Sequence, residues 1–583
     1  MKSTWTINSR HGIIPHRHSE HLNLETLTFQ RYLIISILFV FKLESGLCQA
    51  EKIDSLFKDW DSLNKPGGVV AVIMDGEVVY KKAYGAADTK SGIPNLISTP
   101  FELASMAKQF TATCIGLLEE QDKLSKEDDI KKYYPELRFS ENIRIKNLLD
   151  HTSGIREAYV LAVLSGKVNL KGQLPKKYQT KEYLFKTLHR ETDLNFKTGE
   201  EMVYTNVNYI LLGDIVEKVS GMKLKHFADS AIFRPLKMSS TFFNDVESKT
   251  ETVGYSYNGK RFKRRSTSGG IVGDHNLIST IDDLIIWSNN FYHNKLGKSD
   301  LNLFDRLYLS GKLNNGEDTG YGYGVFVSSY KGFNQIYHGG DNGIHTSIMI
   351  RVPDKKLVVI CLANSSRYDD NERKAYKIVD MFLENSLETS KTSEHFSYVN
   401  LNKTQLSSKT GLFYLIGKNG LGQLRKIILE NESLYISDNL NVKGLKLNPI
   451  SENYFVAENP SKEFIHVRFL KDSTDKLILH EIYLDKVDLK FSLCNPTEIQ
   501  SRDYKGTYIN ESTMAKIKVK AKNQKIKARK GIIQIPLIPF KEDIFYATQN
   551  DAVFLFDRDS AGQVVGLRIN AQDFRNFKLK RAD

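Results

Sequence analysis

Cysteine is nearly absent, with four in 583 residues. They stand at 48, 114, 361 and 494, an odd and scattered set once a leader is removed, which excludes a disulfide framework. Cys114 falls in a helical pattern and Cys361 in the strand-like LVVICLAN, so buried thiols are expected. No cysteine and histidine spacing suits zinc, and no RNA-binding signature is present, so neither a metal nor nucleic acid is expected. Acidic residues are the minority, 69 against 82 basic, for a formal charge of +13. The excess is spread along the chain and reads as a solubilising charge. Long apolar runs are missing too. The most apolar stretch near the start, YLIISILFVF (32–41), covers roughly 15 Å as a helix, about half of a hydrocarbon core. Preceded by Arg31 and followed by GLCQAEK, it reads as a secretory signal cleaved after Ala50, with an uncleaved membrane anchor as the alternative. The long segment ahead of it implies a start assigned too far upstream. Leu47 before Cys48 is too large for a lipoprotein signal, so no lipid is expected there.

What remains is globular: 41% apolar, 11% aromatic and 26% charged, with a length that calls for several domains. GVVAVIMDGEVVYKKAYG (68–85) gives two β-rich runs about Asp75-Gly76, a hairpin signal. Residues 102–120 carry Met106, Phe110, Thr113 and Leu117 at helical spacing. A second helix is predicted over 206–221, ended by Gly221, and a third over 279–291, where a hydroxyl cap precedes acidic residues. From 321 the strand pattern returns in YGYGVFVSSY, TSIMIRV and KLVVICLAN. Strands at both ends of a helical middle predict an α+β layer structure whose sheet unites the first and last segments.

Past about residue 385 the texture changes. SLETSKTSEHFS reads as a linker, giving a first domain at 51–385, a linker at 386–400 and β-rich units at 401–495 and 496–583. The two units repeat each other: TGLFYL at 410 answers KGTYIN at 505, LNPISENYF (447–455) answers LIPFKEDIF (537–545), and VRFLKDSTDKL (467–477) answers FLFDRDSAGQV (554–564). In KIKVKAKNQKIKARKG (516–531) lysines alternate with apolar residues, as in a solvated strand face guarded against edge pairing.

ELASMAKQFTA (102–112) carries the chemistry. A serine hydroxyl needs a base within reach to become a nucleophile, and Ser105 and Lys108 share one helix face. A serine in the first helical turn meets the positive end of the dipole, where an oxyanion is stabilised. The amine must be neutral to accept a proton, which apolar surroundings favour; Ala104, Met106, Ala107 and Phe110 supply them. Ser-x-x-Lys recurs at Ser55, Ser62, Ser220, Ser328 and Ser473, and alone it reads more readily as a capping serine and a snorkelling lysine.

Its company decides. With PGGVVAVIMDGEVVYKKAYGAAD before it, LLDHTSGI (148–155), VYTNVNYILLGDIVEKVSG after it and YHGGDNG (337–343) ahead of IMIRVPDKKLVVICLAN, the stretch 66–365 resembles the serine beta-lactamase-related family. That family includes class C beta-lactamases, DD-peptidases, D-aminopeptidases and esterases. The resemblance implies a beta-lactamase/transpeptidase-like domain, an antiparallel sheet flanked by helices plus an all-helical region, followed here by two small lipocalin-like or barrel-like units. It implies Ser105 as nucleophile, Lys108 and Tyr204 sharing the base work, and Asn206 orienting the lysine or a substrate amide. His338 is then expected to bind an anionic group or hold a proton network, with Gly339 and Gly340 letting substrate lie on the strand. The backbone of Ser105 and Asp341 would form the oxyanion hole, and His151 would brace its loop. Lys-Thr-Gly, the commoner third motif, occurs at 197–199 and 409–411, in the wrong order and context. Lys237 replaces a usual glycine, and His275-Asn276 stand where relatives carry glycines.

An exported serine hydrolase acting on a peptide, amide or ester through an acyl-enzyme, without cofactor, is the leading expectation. The lysine used for a lactam carboxylate is missing from the third motif, which argues against lactam hydrolysis. A penicillin-recognising sensor that is acylated without turnover is the alternative, and a dead scaffold the third reading. The β units have two open roles, contact with the first domain's pocket or docking to the cell envelope.

Overall fold

The computed structural model describes residues 49–582 except 168–174, 176–177, 249–251, 268, 299–302, 304–307, 384–395, 418–420, 439–442, 459–463, 484–486, 495–502, 523–524, 531–532, 548–551 and 572–573. The apolar segment of the expected signal and most of the expected linker lie outside the described residues. The chain forms two compact units, Met1–Lys58 and Asp59–Asp583. In the first, residues 49–56 are helical; everything below concerns the second. No described helix is long and apolar enough to cross a membrane.

Strands β1 (Gly68–Met74) and β2 (Glu77–Tyr84) are joined through Asp75 and Gly76, both in the left-handed region at φ 51° and 84°, as a tight hairpin requires. Helices α1 (Lys108–Glu120), α2 (Ala158–Leu164), α3 (Asn206–Ser220) and α4 (Ile281–Asn289) belong to the helical middle. Then come β3 (Phe326–Tyr330), β4 (Phe333–Asp341), β5 (Thr346–Val352), β6 (Leu357–Ala363) and α5 (Tyr368–Leu383). The sheet runs β3-β4-β5-β6-β1-β2 and is antiparallel throughout. The first and last segments thus meet as expected. TSIMIRV and LVVICLA are buried at every position, which explains their unbroken apolar texture; α4 and α5 pack against this part of the sheet.

Both predicted helix ends hold. Gly221 closes α3 at φ 71°, its N–H returning to Glu217 O, and the Thr280 hydroxyl accepts from Asp283 N to open α4. Two predicted elements start late. Residues 102–120 open with a short strand, Phe101–Glu102, and a 3₁₀ turn, Ala104–Ala107, before the α-helix begins at Lys108. The strand expected from 321 begins at Phe326, because Gly324, at φ 82°, lies so close to α1 that a Cβ there would stand 2.5 Å from Gln109 Cα.

The tail forms two closed eight-stranded barrels, the first from Gly411 to Leu493 and the second from Gly506 to Arg581. The sequence repeat marks matching strands: TGLFYL and KGTYIN hold the opening ones, Gly411–Ile416 and Gly506–Asn510. Pro449 and Pro539 sit at matching register breaks, where a residue without an N–H is tolerated. The lysine-rich strands Ala515–Lys522 and Lys525–Lys530 alternate buried and exposed positions, so the lysines do form a solvated face. The edge they were expected to guard does not exist, since each strand is paired on both sides. Cys114, Cys361 and Cys494 are free and buried.

Candidate active site

Sequence neighbours become chemical partners at the start of α1. Lys108 is fully buried, with Nζ 3.1 Å from Ser105 Oγ, 2.9 Å from Asn206 Oδ1 and 3.0 Å from the Asp274 carbonyl. The two carbonyl oxygens can only accept, so they take two of the amine's protons. The hydroxyl can accept a third from an ammonium or donate into the lone pair of a neutral amine. The three partners therefore suit both protonation states of the amine.

The surroundings bring those states close in energy. Burial pushes the Lys108 ammonium down to about 8, while Asp274 and Glu157 pull the other way. Glu157 is itself buried and pushed up by that burial. Its carboxylate accepts from Asn206 N at 2.8 Å and Thr205 Oγ1 at 3.1 Å, which fixes the first turn of α3 and with it Asn206. Asp274 and His275 pair at 2.8 Å. Burial opposes charge on both, yet their attraction holds Asp274 below and His275 above its ordinary range. His275, which stands where relatives carry a glycine, lines the pocket beside Ser105.

Tyr204 stands over the lysine, its ring centroid 4.9 Å from Nζ. Its other ring neighbours are His151, at 4.3 Å between centroids, Tyr321 at 6.0 Å, and Phe326 and His338 at 6.2 Å. His151 is fully buried, and its Nδ1 accepts from the Thr205 amide at 3.3 Å and lies 3.2 Å from Asn208 Nδ2. It braces the Tyr204 segment as well as its own loop. His338 is also buried; its Nδ1 donates to Gly339 O at 2.6 Å, so Nε2 accepts from Tyr321 Oη at 3.0 Å. Burial and the nearby Lys108 push its imidazole down to about 3. Both ring nitrogens of His338 are thus engaged within the fold.

The turn that presents Ser105 carries strain. Ala104 sits in the left-handed region at φ 49°, which costs a non-glycine residue about 1–2 kcal/mol. Glu102 holds the turn by accepting from Asn276 N at 3.0 Å and from Ala104 N. Gly340 packs directly against it: a Cβ there would lie 2.2 Å from Leu103 O and 2.9 Å from Ala104 Cβ. Gly340 thus has a reason to be glycine beyond making room for substrate. Gly340→Ala is expected to cost about 1–3 kcal/mol through overpacking and to displace Ser105. A lower melting temperature together with slower covalent labelling of Ser105 would report this; parent-like values in both would contradict it.

Two cavities meet at Ser105 and Asp341. One, of about 540 Å³, is lined by Tyr159, Gln179, Asn206, Asp274 and His275. The other, of about 650 Å³, is lined by Met202, Tyr204, Phe326, Tyr337, the His338-Gly339-Gly340 strand and Arg575. Arg575 belongs to the second barrel, so one of the two roles left open for the tail, contact with the pocket, is realised. The same barrel holds α2 and the stretch around Glu191 and Asn195. Leu161 of α2 is part of the barrel's apolar core, Ser165 Oγ donates to Thr513 O, and Asn195 Oδ1 accepts from Arg575 N at 2.8 Å. The buried Arg156–Glu191 pair, at 3.0 Å, places the Arg156 guanidinium 5.7 Å from the Phe577 ring.

All eight expected site residues gather here: Ser105, Lys108, Tyr204, Asn206, His338, Gly339, Gly340 and Asp341. The competing motifs do not. Ser220 Oγ donates to Val216 O and Ser328 Oγ accepts from Gln335. Gly199 of one Lys-Thr-Gly donates to Thr152 O, and Gly411 of the other opens the first barrel. Sequence reading missed Glu102, Glu157, Asp274, Tyr321 and Arg575. The Tyr-Gly-Tyr-Gly run at 321–324 was the available signal for Tyr321, since paired glycines break a strand.

A model of the Beta-lactamase family matches residues 54–380. Penicillin-binding protein 4* of Bacillus subtilis (strain 168) is 25% identical over 450 residues, 74% of this chain and 96% of that protein. A D-aminopeptidase of Brucella anthropi is 29% identical over 277 residues, 47% of this chain and 51% of that protein. Among solved structures, the octameric penicillin-binding protein homologue from Pyrococcus abyssi matches over 78% of this chain and 100% of its own, at 24% identity and a TM-score of 0.50. That likeness concerns the fold, a beta-lactamase/transpeptidase-like domain, here followed by two closed barrels.

Proposed function

Since the chain belongs to the beta-lactamase family, we propose that it is an exported serine hydrolase that cleaves a peptide, amide or ester through an acyl-enzyme. The observation that carries this reading is the buried Lys108 amine, 3.1 Å from Ser105 Oγ, with two carbonyl acceptors at its other positions. Neutral Lys108 takes the hydroxyl proton as Ser105 Oγ attacks the substrate carbonyl. The carbonyl oxygen becomes an oxyanion held by the backbone N–H groups of Ser105 and Asp341. The bond to the leaving group breaks, and Tyr204, relaying the proton from Lys108, protonates the departing atom. Water then attacks the ester, gives a proton back to the same base, and releases the acid and free Ser105. Relatives bearing the names of a penicillin-binding protein and a D-aminopeptidase support a peptide-like substrate.

A fluorophosphonate label, followed by peptide mapping of the full chain, tests the reading. The adduct is expected on the peptide containing Ser105; an adduct elsewhere, or none, refutes it. Mass spectra taken after brief and long exposure to a generic ester separate turnover from the acylated sensor. The hydrolase loses its adduct as substrate is exhausted, whereas the sensor keeps it.

A further inference from the structure

The two cavities at Ser105 differ in what they can do for a reaction. Tyr204 lines the 650 Å³ cavity and Asn206 the 540 Å³ one. The group that protonates the departing atom must lie beside it, so in the serine hydrolase reading, on which this inference rests, the leaving group occupies the Tyr204 cavity. Its walls are largely apolar, with Met202, Val203, Phe326 and Tyr337. Such a site holds a drug-sized body by burial and selects it with a few placed polar groups.

The charge in that cavity is unusual in origin. His338 lies on its wall, but its nitrogens serve Tyr321 and Gly339. Asp341, at the junction, turns its carboxylate to Gly343 N at 2.6 Å. Among the described lining residues the cationic side chain is Arg575, which comes from the second barrel, far along the chain. It is held in place from several sides. Its backbone N donates to Asn195, its Nη1 donates to Ala571 O, and its Nε stands 3.8 Å from Glu201 Oε2. Only 7% of the residue is exposed. A guanidinium has five N–H donors in a planar fork, which allows a carboxylate to be gripped beside such partners. The side chain is thereby pre-positioned, so little rotamer entropy is lost when an anion arrives.

We infer that Arg575 receives a carboxylate on the leaving-group side of Ser105, so that the substrates are esters or amides whose departing half is a hydroxy acid or amino acid with a free carboxylate. In acyl transfer, acyl–X–CHR–COO⁻ and Ser105–OH give the Ser105 acyl ester and HX–CHR–COO⁻. The C–X bond breaks, X takes the serine's proton by way of Lys108 and Tyr204, and the carboxylate keeps its charge against Arg575 throughout. The second barrel is then a component of the substrate site as well as a support for α2 and Asn195.

The experiment uses the full chain and two esters of one acyl group, one releasing 3-phenyllactate and the other 3-phenyllactamide. The readout is the ratio of their kcat/KM values. Arg575→Gln is expected to lower the carboxylate-to-amide ratio by about 10- to 100-fold, as for loss of a hydrogen bond to a charged group, mainly through KM, and Arg575→Lys to restore part of it. An unchanged ratio overturns the assignment, because a residue that only holds the barrel in place would slow both esters alike. Should the Arg575 variants fail to fold, phenylacetate and phenylacetamide are compared as protectors of Ser105 against fluorophosphonate in the unaltered protein. Protection by the carboxylate alone supports the proposal, and equal protection or none refutes it. Labelling of Ser105 separates the two levels: label with an insensitive ratio removes only the role of Arg575, whereas no label in the unaltered protein removes the hydrolase reading beneath it.

Discussion

Ser105→Ala is expected to lower kcat by about 10⁴- to 10⁶-fold and to erase the acyl adduct, leaving the fold intact. The size follows from the loss of the atom that forms the covalent bond. What remains is whatever the oxyanion donors and the cavities achieve with water alone, and in serine hydrolases that residue of catalysis is small. The turn that presents Ser105 is fixed by Glu102 and Gly340, and among the described residues Lys108 bonds to no second serine or threonine. Stability should change little, since Ser105 is half-buried and its hydroxyl adds a single bond to the lysine. Steady-state rates on an ester, with a melting curve of the same sample, test this directly. A variant turning over at a tenth of the parent rate would move the nucleophile elsewhere.

The central part of this site was legible because it is written locally. Ser105 and Lys108 are one helical turn apart, and Tyr204 and Asn206 open a helix whose apolar spacing and Gly221 stop are local signals. The hairpin at Asp75-Gly76 and the end of α3 depend on backbone preferences of single residues, and these appear in a sequence directly. The opening of α1 does not. Its apolar spacing fits a helix from 102, but the chain bends at Ala104 because Leu103 and Ala104 are wedged against Gly340 of a strand distant in sequence. His338 shows the same limit: the sequence left an anion site and a proton network open, and only the fold shows its ring nitrogens engaged by Tyr321 and Gly339. Glu157 and Asp274 were invisible because an acid among polar neighbours looks solvated until the fold buries it. Arg575 was hidden most deeply. The repeat in the tail predicts two similar units, but not which turn of the second would reach the pocket.

Lys108→Met should lower kcat/KM by about 10²- to 10⁴-fold, the usual worth of a general base. The pH profile of the unaltered protein gives that loss its physical sign. The base works when neutral, and burial sets its proton affinity at about 8. Below that pH the neutral fraction falls tenfold per unit, so kcat/KM should rise with unit slope up to about pH 8 and flatten above it. Burial holds His338 at about 3 and His151 well below its ordinary value, while Asp274 holds His275 above its own, so Lys108→Met is the variant that tells the lysine's limb from that histidine's. Asp274 provides the sharper check. Its carboxylate stabilises the Lys108 ammonium, against the larger effect of burial. Asp274→Asn removes that stabilisation while the backbone carbonyl at 274 still accepts from Nζ. The acidic limb should then move to lower pH. A limb that stays put in Asp274→Asn, or survives in Lys108→Met, would assign the titrating base to a group other than this amine.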